Sequence, residues 1–177
     1  FEIGRVHACT KGWLERECNF LHMCYKYLLG LLKAGLYEQY YEEMKVNFVF
    51  NMDPKVYGRS PIENSSFIVP TCNPNSRMHG QGQFARLTGA NAEILDIFFI
   101  MVLGERAFSY KDGILKFTPS PKLSSEFFDK NNEVSYPLFS KCIITIHNPR
   151  RIDLYNHSKY YYVINNQKYS SIEGSVA

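Results

Sequence analysis

Between Ala92 and Leu103 the chain reads AEILDIFFIMVL, apolar on nearly every side of a helical projection, and Gly104 follows. A helix that is apolar all round must be covered all round, so the run predicts a helix buried among other helices and stopped at the glycine. Ahead of it stands a polar stretch with three glycines, His79-Gly80-Gln81-Gly82-Gln83-Phe84-Ala85-Arg86-Leu87-Thr88-Gly89-Ala90-Asn91. Thr88 is placed as the N-cap, which aims the backbone N–H groups of Gly89 to Asn91 at whatever precedes the helix, with the positive end of its dipole behind them. Such an end suits an anion, and a threonine there is equally an ordinary cap.

Helical periodicity precedes this run. From Cys18 to Lys33 the residues Leu21, Cys24, Tyr25, Leu28, Leu31 and Leu32 recur at spacings of three and four, predicting a helix with one buried stripe and a stop at Gly35. His22 lies beside that stripe. Residues 36–48 predict a second helix with Glu38, Glu42 and Glu43 on its wet side, paired antiparallel to the first across Ala34-Gly35. Residues 50–82 hold Pro54, Pro61, Pro70 and Pro74 among asparagines and serines, which argues against helix and for a long packed loop forming the wall of a site. The lead-in contains Gly12-Trp13, a pairing found in sugar sites and also in loops anchored by one buried ring.

After Glu105 the texture becomes β-prone: Ile114–Thr118, Val134–Leu138, Cys142–His147, Tyr160–Ile164 and Lys168–Ile172. Asn165-Asn166 and Lys111-Asp112-Gly113 are hairpin turns by composition, so a small antiparallel β unit is expected after a boundary near residues 105–112. His147 and His157 find no acidic partner at metal or catalytic spacing. Twenty basic and 17 acidic residues are interspersed, without the basic block that nucleic-acid binding would call for. Five cysteines, an odd number without paired spacing, predict neither a disulfide framework nor a zinc site but reduced, mostly buried thiols of a cytoplasmic protein. No run is long enough to cross a membrane, and a start at Phe1 suggests a piece of a longer polypeptide.

Three motifs, Tyr57-Gly58-Arg59-Ser60-Pro61-Ile62-Glu63-Asn64-Ser65-Ser66-Phe67-Ile68, His79-Gly80-Gln81-Gly82 and Arg86-Leu87-Thr88-Gly89-Ala90, resemble those closing the catalytic domain of glycoside hydrolase family 94. That family holds cellobiose, chitobiose and 1,2-β-oligoglucan phosphorylases and the phosphorylase-like part of cyclic β-1,2-glucan synthase. The likeness is greatest to the 1,2-β-glucan-acting branch and covers most of residues 10–150. It implies a chain that is mainly α followed by β: residues 1–108 as the C-terminal part of an (α/α)6 catalytic barrel, and residues 109–177 as a small antiparallel β-sandwich.

The resemblance further implies an inverting phosphorolysis, in which phosphate attacks the anomeric carbon while an aspartic acid protonates the departing oxygen. Matching by motif and order, His22, Thr88 and Gly89 are the expected phosphate-binding residues. Glu15 and Glu63 are expected to contact the sugar; a solvated surface charge is the alternative for Glu15, and Glu63 has similar standing. Inorganic phosphate is a substrate, no cofactor or metal is implied, and the expected partners are phosphate and an oligosaccharide, with a homodimeric parent protein. The family's general acid and phosphate-binding arginine belong to segments that would precede Phe1. Asp53 and Asp96 are not assigned to the acid's role, and the chain alone is expected to be catalytically silent, with exposed apolar helix faces. A non-catalytic glycan-binding or structural relative, or a synthase-type parent, is the competing expectation.

Overall fold

The computed structural model describes residues 4–85, 88–156, 161–169 and 172–175. Two units divide the chain, Phe1–Ile97 and Phe98–Ala177. In the first, strand β1 (Asn19–Phe20) runs directly into helix α1 (Leu21–Lys33), and α2 (Tyr37–Asn47) follows. The stripe on α1 packs as its period requires, with Leu21, Tyr25, Leu28, Leu29 and Leu32 buried and Met23 and Tyr27 exposed. Gly35 ends the helix at φ +75°, where its N–H bonds Leu32 O at 3.1 Å and the next N–H, Leu36, reaches back to Leu31 O at 3.0 Å. These two bonds satisfy carbonyls that the last turn leaves open, and the left-handed backbone they need suits glycine. On α2, Tyr40, Tyr41 and Met44 are buried.

The proline-containing stretch is not one long loop. Within it lie helix α3 (Pro54–Tyr57) and strand β2 (Ser65–Ile68), and strand β3 (Gly82–Ala85) begins at its last residue. Pro54 starts α3 instead of preventing it, because at a first helical position its missing N–H is no loss. Asp53 caps that turn, accepting from Lys55 N at 2.9 Å. Both β1 and β3 pair antiparallel with β2, one on each side, so they run parallel to one another. Their C-terminal ends therefore lie at the same end of the sheet, where β1 feeds α1 and β3 leads toward α4 (Thr88–Leu103).

Helix α4 departs from the expected all-round burial. Ala90, Ile97, Ile100, Met101, Val102 and Leu103 are buried, whereas Leu95, Phe98 and Phe99 are more than two-fifths exposed. A helix with no polar side exposes apolar groups wherever it lacks a neighbour.

In the second unit the end of α4 is capped by the chain that follows. Gly104, at φ +86°, donates to Ile100 O at 2.9 Å, Ser120 N to Leu103 O at 2.7 Å and Lys122 N to Met101 O at 2.7 Å. Tyr136, buried, gives its hydroxyl proton to Val102 O at 2.9 Å, so terminal carbonyls that would otherwise be unpaired are satisfied. Strands β4 (Phe108–Lys111), β5 (Ile114–Phe117) and β10 (Ile172–Ser175) form one antiparallel sheet in the order β10-β5-β4. β6 (Glu133–Leu138) pairs with β7 (Cys142–His147), and β8 (Tyr162–Ile164) with β9 (Gln167–Tyr169). Asn165 and Asn166 form the expected two-residue turn with φ of +49° and +64°, and Asp112-Gly113 form another with +52° and +79°. Tyr160 and Ser170–Ser171, expected within strands, and His157, expected to lack an acidic partner, lie outside the described residues.

Among the described residues, four helices, one of them a single turn, and several small antiparallel sheets make a mixed α/β fold. This overturns the expected end of an (α/α)6 barrel followed by a β-sandwich. A barrel wall needs successive helix pairs packed on each other, but here α1 packs on α2 and on the β1-β2-β3 sheet. The later strands close sheets of two and three strands and do not build a clear sandwich. Two smaller expectations are also corrected. His147 does have an acidic partner: it stands opposite Glu133 in the β6–β7 ladder, with Nδ1 3.0 Å from Oε1, in an exposed position. The cysteines are free, but Cys9, Cys18, Cys24 and Cys72 are only half-buried and Cys142 is exposed.

One carboxylate gives the second unit a measurable pH dependence. Asp153 accepts from Ser125 N at 2.7 Å, from Tyr155 OH at 3.1 Å and from Ser124 Oγ at 3.3 Å. The backbone donor Ser125, more than any other group, holds its pKa below the ordinary carboxylate value. A lowered folded-state pKa contributes stability that is present above the unfolded value and is lost as pH falls through the folded one. Urea unfolding of the second unit is therefore expected to weaken from about pH 4 downward, and Asp153→Asn to flatten that part of the profile.

Candidate anion site at the start of two helices

Because β1 and β3 flank β2, the first turns of α1 and α4 begin at one end of a single sheet. His22 is the second residue of α1 and Gly89 the second of α4. The imidazole packs against the Gly89 backbone on its Nδ1 side: a Cβ built there would stand 2.5 Å from Cε1 and 2.8 Å from Cγ of His22, and closer still to Nδ1. A side chain at this position would have to displace the imidazole, so the close approach suits glycine. One turn further along α4, Glu93 Oε1 lies 3.3 Å from His22 Nε2. The ring is thus met on one side by a backbone and on the other by a carboxylate, and the His22 and Glu93 side chains are both only partly exposed.

A second link ties the two helices. Tyr25, one turn after His22, donates from its hydroxyl to Asn64 Oδ1 at 2.9 Å, and Asn64 Nδ2 donates to Asn91 Oδ1 at 2.6 Å. Burial of the Tyr25 ring pushes its hydroxyl pKa well up, so this donor keeps its proton through the ordinary pH range. Asn64 and Asn91 form the polar edge of an open hollow of about 360 Å³ whose other walls, Val49, Phe50, Pro61, Ile62, Ile94 and Leu95, are apolar.

The residues named from sequence distribute unevenly around this centre. His22 and Gly89 are brought into contact. Helix α4 begins at Thr88, so a cap would fall on Leu87; that residue, Arg86 and the Thr88 side chain lie outside the described residues. Glu63 is next to Asn64, and its carboxylate is engaged: Arg59 Nη1 donates to Oε1 at 2.5 Å while Arg59 Nε donates to Gly82 O at 2.8 Å. Glu15 is exposed on a tight turn closed by Gly12 N bonding Arg16 O at 2.7 Å. His79 donates from Nε2 to Asn73 O at 2.8 Å and so orders its loop. Sequence reasoning missed Glu93 and the Tyr25–Asn64–Asn91 chain. The only signal for Glu93 was its helical spacing of four from Gly89.

Chemically, the first turn of α4 offers backbone N–H groups without intrahelical partners, and an imidazole lies on that turn. Donors with the positive end of a helix dipole behind them favour an anion. Among the described residues, no group of three or more His, Cys, Asp or Glu side chains is placed to hold a metal, and no helix is long and apolar enough to cross a membrane. No protein-family model matches the chain, and no curated protein matches it.

Proposed function

We propose that this chain supplies part of the phosphate and sugar site of an inverting glycoside phosphorylase, one that cleaves β-glucosidic oligosaccharides with inorganic phosphate in the cytoplasm. The observation that carries the reading is the His22 ring lying against Gly89 in the first turn of α4, held there by Glu93. The family resemblance singled out these two residues on motif order alone, and packing of this closeness between residues 67 positions apart is what a shared anion site needs. The proposal rests on this local constellation and on no barrel. Phosphate would be held by the α4 N–H groups and His22, and would act as the nucleophile. No residue of this chain is assigned the role of the acid that protonates the leaving oxygen.

Calorimetric titration with inorganic phosphate tests the reading. Saturable binding is expected, with His22→Ala and Thr88→Val each weakening it about tenfold, the loss of one hydrogen bond to the phosphate, from the imidazole or from the Thr88 hydroxyl, worth about 1.4 kcal/mol. Unchanged affinity in both variants would remove the phosphate-site assignment.

A further inference from the structure

Phe50, Ile62 and Leu95 are large apolar side chains left exposed, Ile62 to 89%, and all three line the hollow beside Asn64 and Asn91. Their supports are firm. Phe50 stacks on Phe48 with ring centroids 4.7 Å apart and planes at 19°, and the buried Phe48 ring lies 4.9 Å from that of Tyr25. Ile62 sits in a turn closed by Glu63 N bonding Ser60 O at 2.9 Å, and the Tyr57 hydroxyl donates to Glu63 O at 2.6 Å. Leu95 is carried by helix α4. The volume of about 360 Å³ falls within the range of small-molecule sites, about 300–1,000 Å³, which combine apolar walls with a few placed polar groups.

The polar edge of the hollow has a definite sense. Tyr25 is fully buried, so its hydroxyl proton needs an acceptor, and Asn64 Oδ1 at 2.9 Å is that acceptor. This fixes the Asn64 carboxamide, whose Nδ2 then donates to Asn91 Oδ1 at 2.6 Å and leaves Asn91 with its own Nδ2 for other partners. Each amide nitrogen carries two hydrogens. One Asn64 hydrogen goes to Asn91; among the described residues, no acceptor takes the other, nor either hydrogen of Asn91 Nδ2. Asn64 is only 9% exposed, so water has little access to its remaining donor. The hollow therefore presents apolar walls and an edge of N–H donors, with both carboxamide oxygens already engaged.

We infer that this hollow binds a small carbonyl compound with a branched or aromatic body, its oxygen accepting from Nδ2 of Asn64 and Asn91 and its body lying against Phe50, Ile62, Ile94 and Leu95. The inference is independent of the phosphate and oligosaccharide reading. A sugar carries hydroxyls that need acceptors as well as donors, and apolar walls would take water from them without replacing it. A carbonyl oxygen needs donors alone, and an ammonium group would meet no acceptor here. Asn91 lies in the first turn of α4, so the helix dipole adds to the attraction where the oxygen belongs to a carboxylate.

Phenylacetate, phenylacetamide and phenethylamine share one apolar body and differ at the polar end. In NMR titrations of the chain, the two carbonyl compounds are expected to shift the Asn64 and Asn91 side-chain amides and the Ile62, Ile94 and Leu95 methyls saturably, at about millimolar concentration for ligands of this size. Phenethylamine and cellobiose are expected to bind more weakly by about tenfold or more. Phenylacetate binding more tightly than phenylacetamide assigns a carboxylate ligand; equal or weaker binding assigns a neutral carbonyl. Asn91→Asp keeps an oxygen for Asn64 and places a carboxylate where the dipole of α4 favours it, so folding is kept. It should weaken phenylacetate by about tenfold or more and strengthen phenethylamine by a similar factor. Signals that no probe moves, phenethylamine or cellobiose binding as tightly as the carbonyl compounds, or an unchanged preference in Asn91→Asp would each overturn the inference.

Discussion

Gly89→Ala is expected to lower phosphate affinity at least tenfold and to destabilise the first unit by about 1–3 kcal/mol, the usual cost of forcing extra volume into a packed site. The added methyl would enter the His22 ring, 2.5 Å from Cε1 and 2.8 Å from Cγ. The ring cannot slide aside freely, because Nε2 is held 3.3 Å from Glu93 and the residue is anchored on α1 between the buried Leu21 and Tyr25. Either the imidazole leaves the first turn of α4 or the helix start moves. Both outcomes spoil the donor geometry. The double variant Gly89→Ala/His22→Ala is expected to recover most of the stability without recovering phosphate binding, since the clash goes and the imidazole goes with it. Urea unfolding read alongside phosphate titration separates the two effects.

Tyr57→Ala carries the largest expected loss of stability, about 3–5 kcal/mol, the range for emptying a buried aromatic site. Tyr57 is 1% exposed, and its ring fills the space over Gly82, where a Cβ would come 2.7 Å from Cζ. Its hydroxyl donates to Glu63 O at 2.6 Å and accepts from Ser65 N at 2.9 Å. One side chain therefore pins the Glu63 loop, the start of β2 and the glycine that opens β3. Tyr57→Phe keeps the ring and strands the Ser65 N–H in a fully buried position, at a cost of about 1–3 kcal/mol. Against a typical domain stability of about 5–15 kcal/mol the alanine variant removes a large share. Equal denaturant midpoints for Tyr57→Ala and wild type would show that the residue does not hold this sheet.

Much of the helical organisation was legible in the sequence. The stripe on α1, its glycine stop, and the turns at Asp112-Gly113 and Asn165-Asn166 follow from period and turn chemistry, which are local properties. The sheet was not legible, for reasons that are also physical. β1 is two residues long, too short for any alternation to register, and β2 sits among prolines and asparagines that also suit loops. Pro54 reads as a helix breaker until it is seen at a first helical position, where it is harmless. His147 and Glu133 are neighbours only because a ladder places them opposite, a relation that sequence distance hides.

The barrel expectation went wrong at a different level. Helices followed by strands are compatible with many arrangements, and neither helix period nor strand alternation states which faces meet. Leu95, Phe98 and Phe99 mark the same gap, since apolar composition predicted burial and the fold leaves them exposed. Of the candidate site, His22 and Gly89 were legible from motif order. Glu93 and the Tyr25–Asn64–Asn91 chain depend on β1 and β3 both flanking β2, and no reading of either helix alone brings them together.

The most direct test of the anion site is an NMR titration with inorganic phosphate that follows the His22 ring and the backbone amides of Gly89, Ala90 and Asn91. Saturable shifts of the ring and of these amides together, reproduced by sulfate and absent in Gly89→Ala, are the expected result. Phosphate in the millimolar range that leaves both the imidazole and the first turn of α4 unmoved, in a chain whose other amides show it folded, would contradict it.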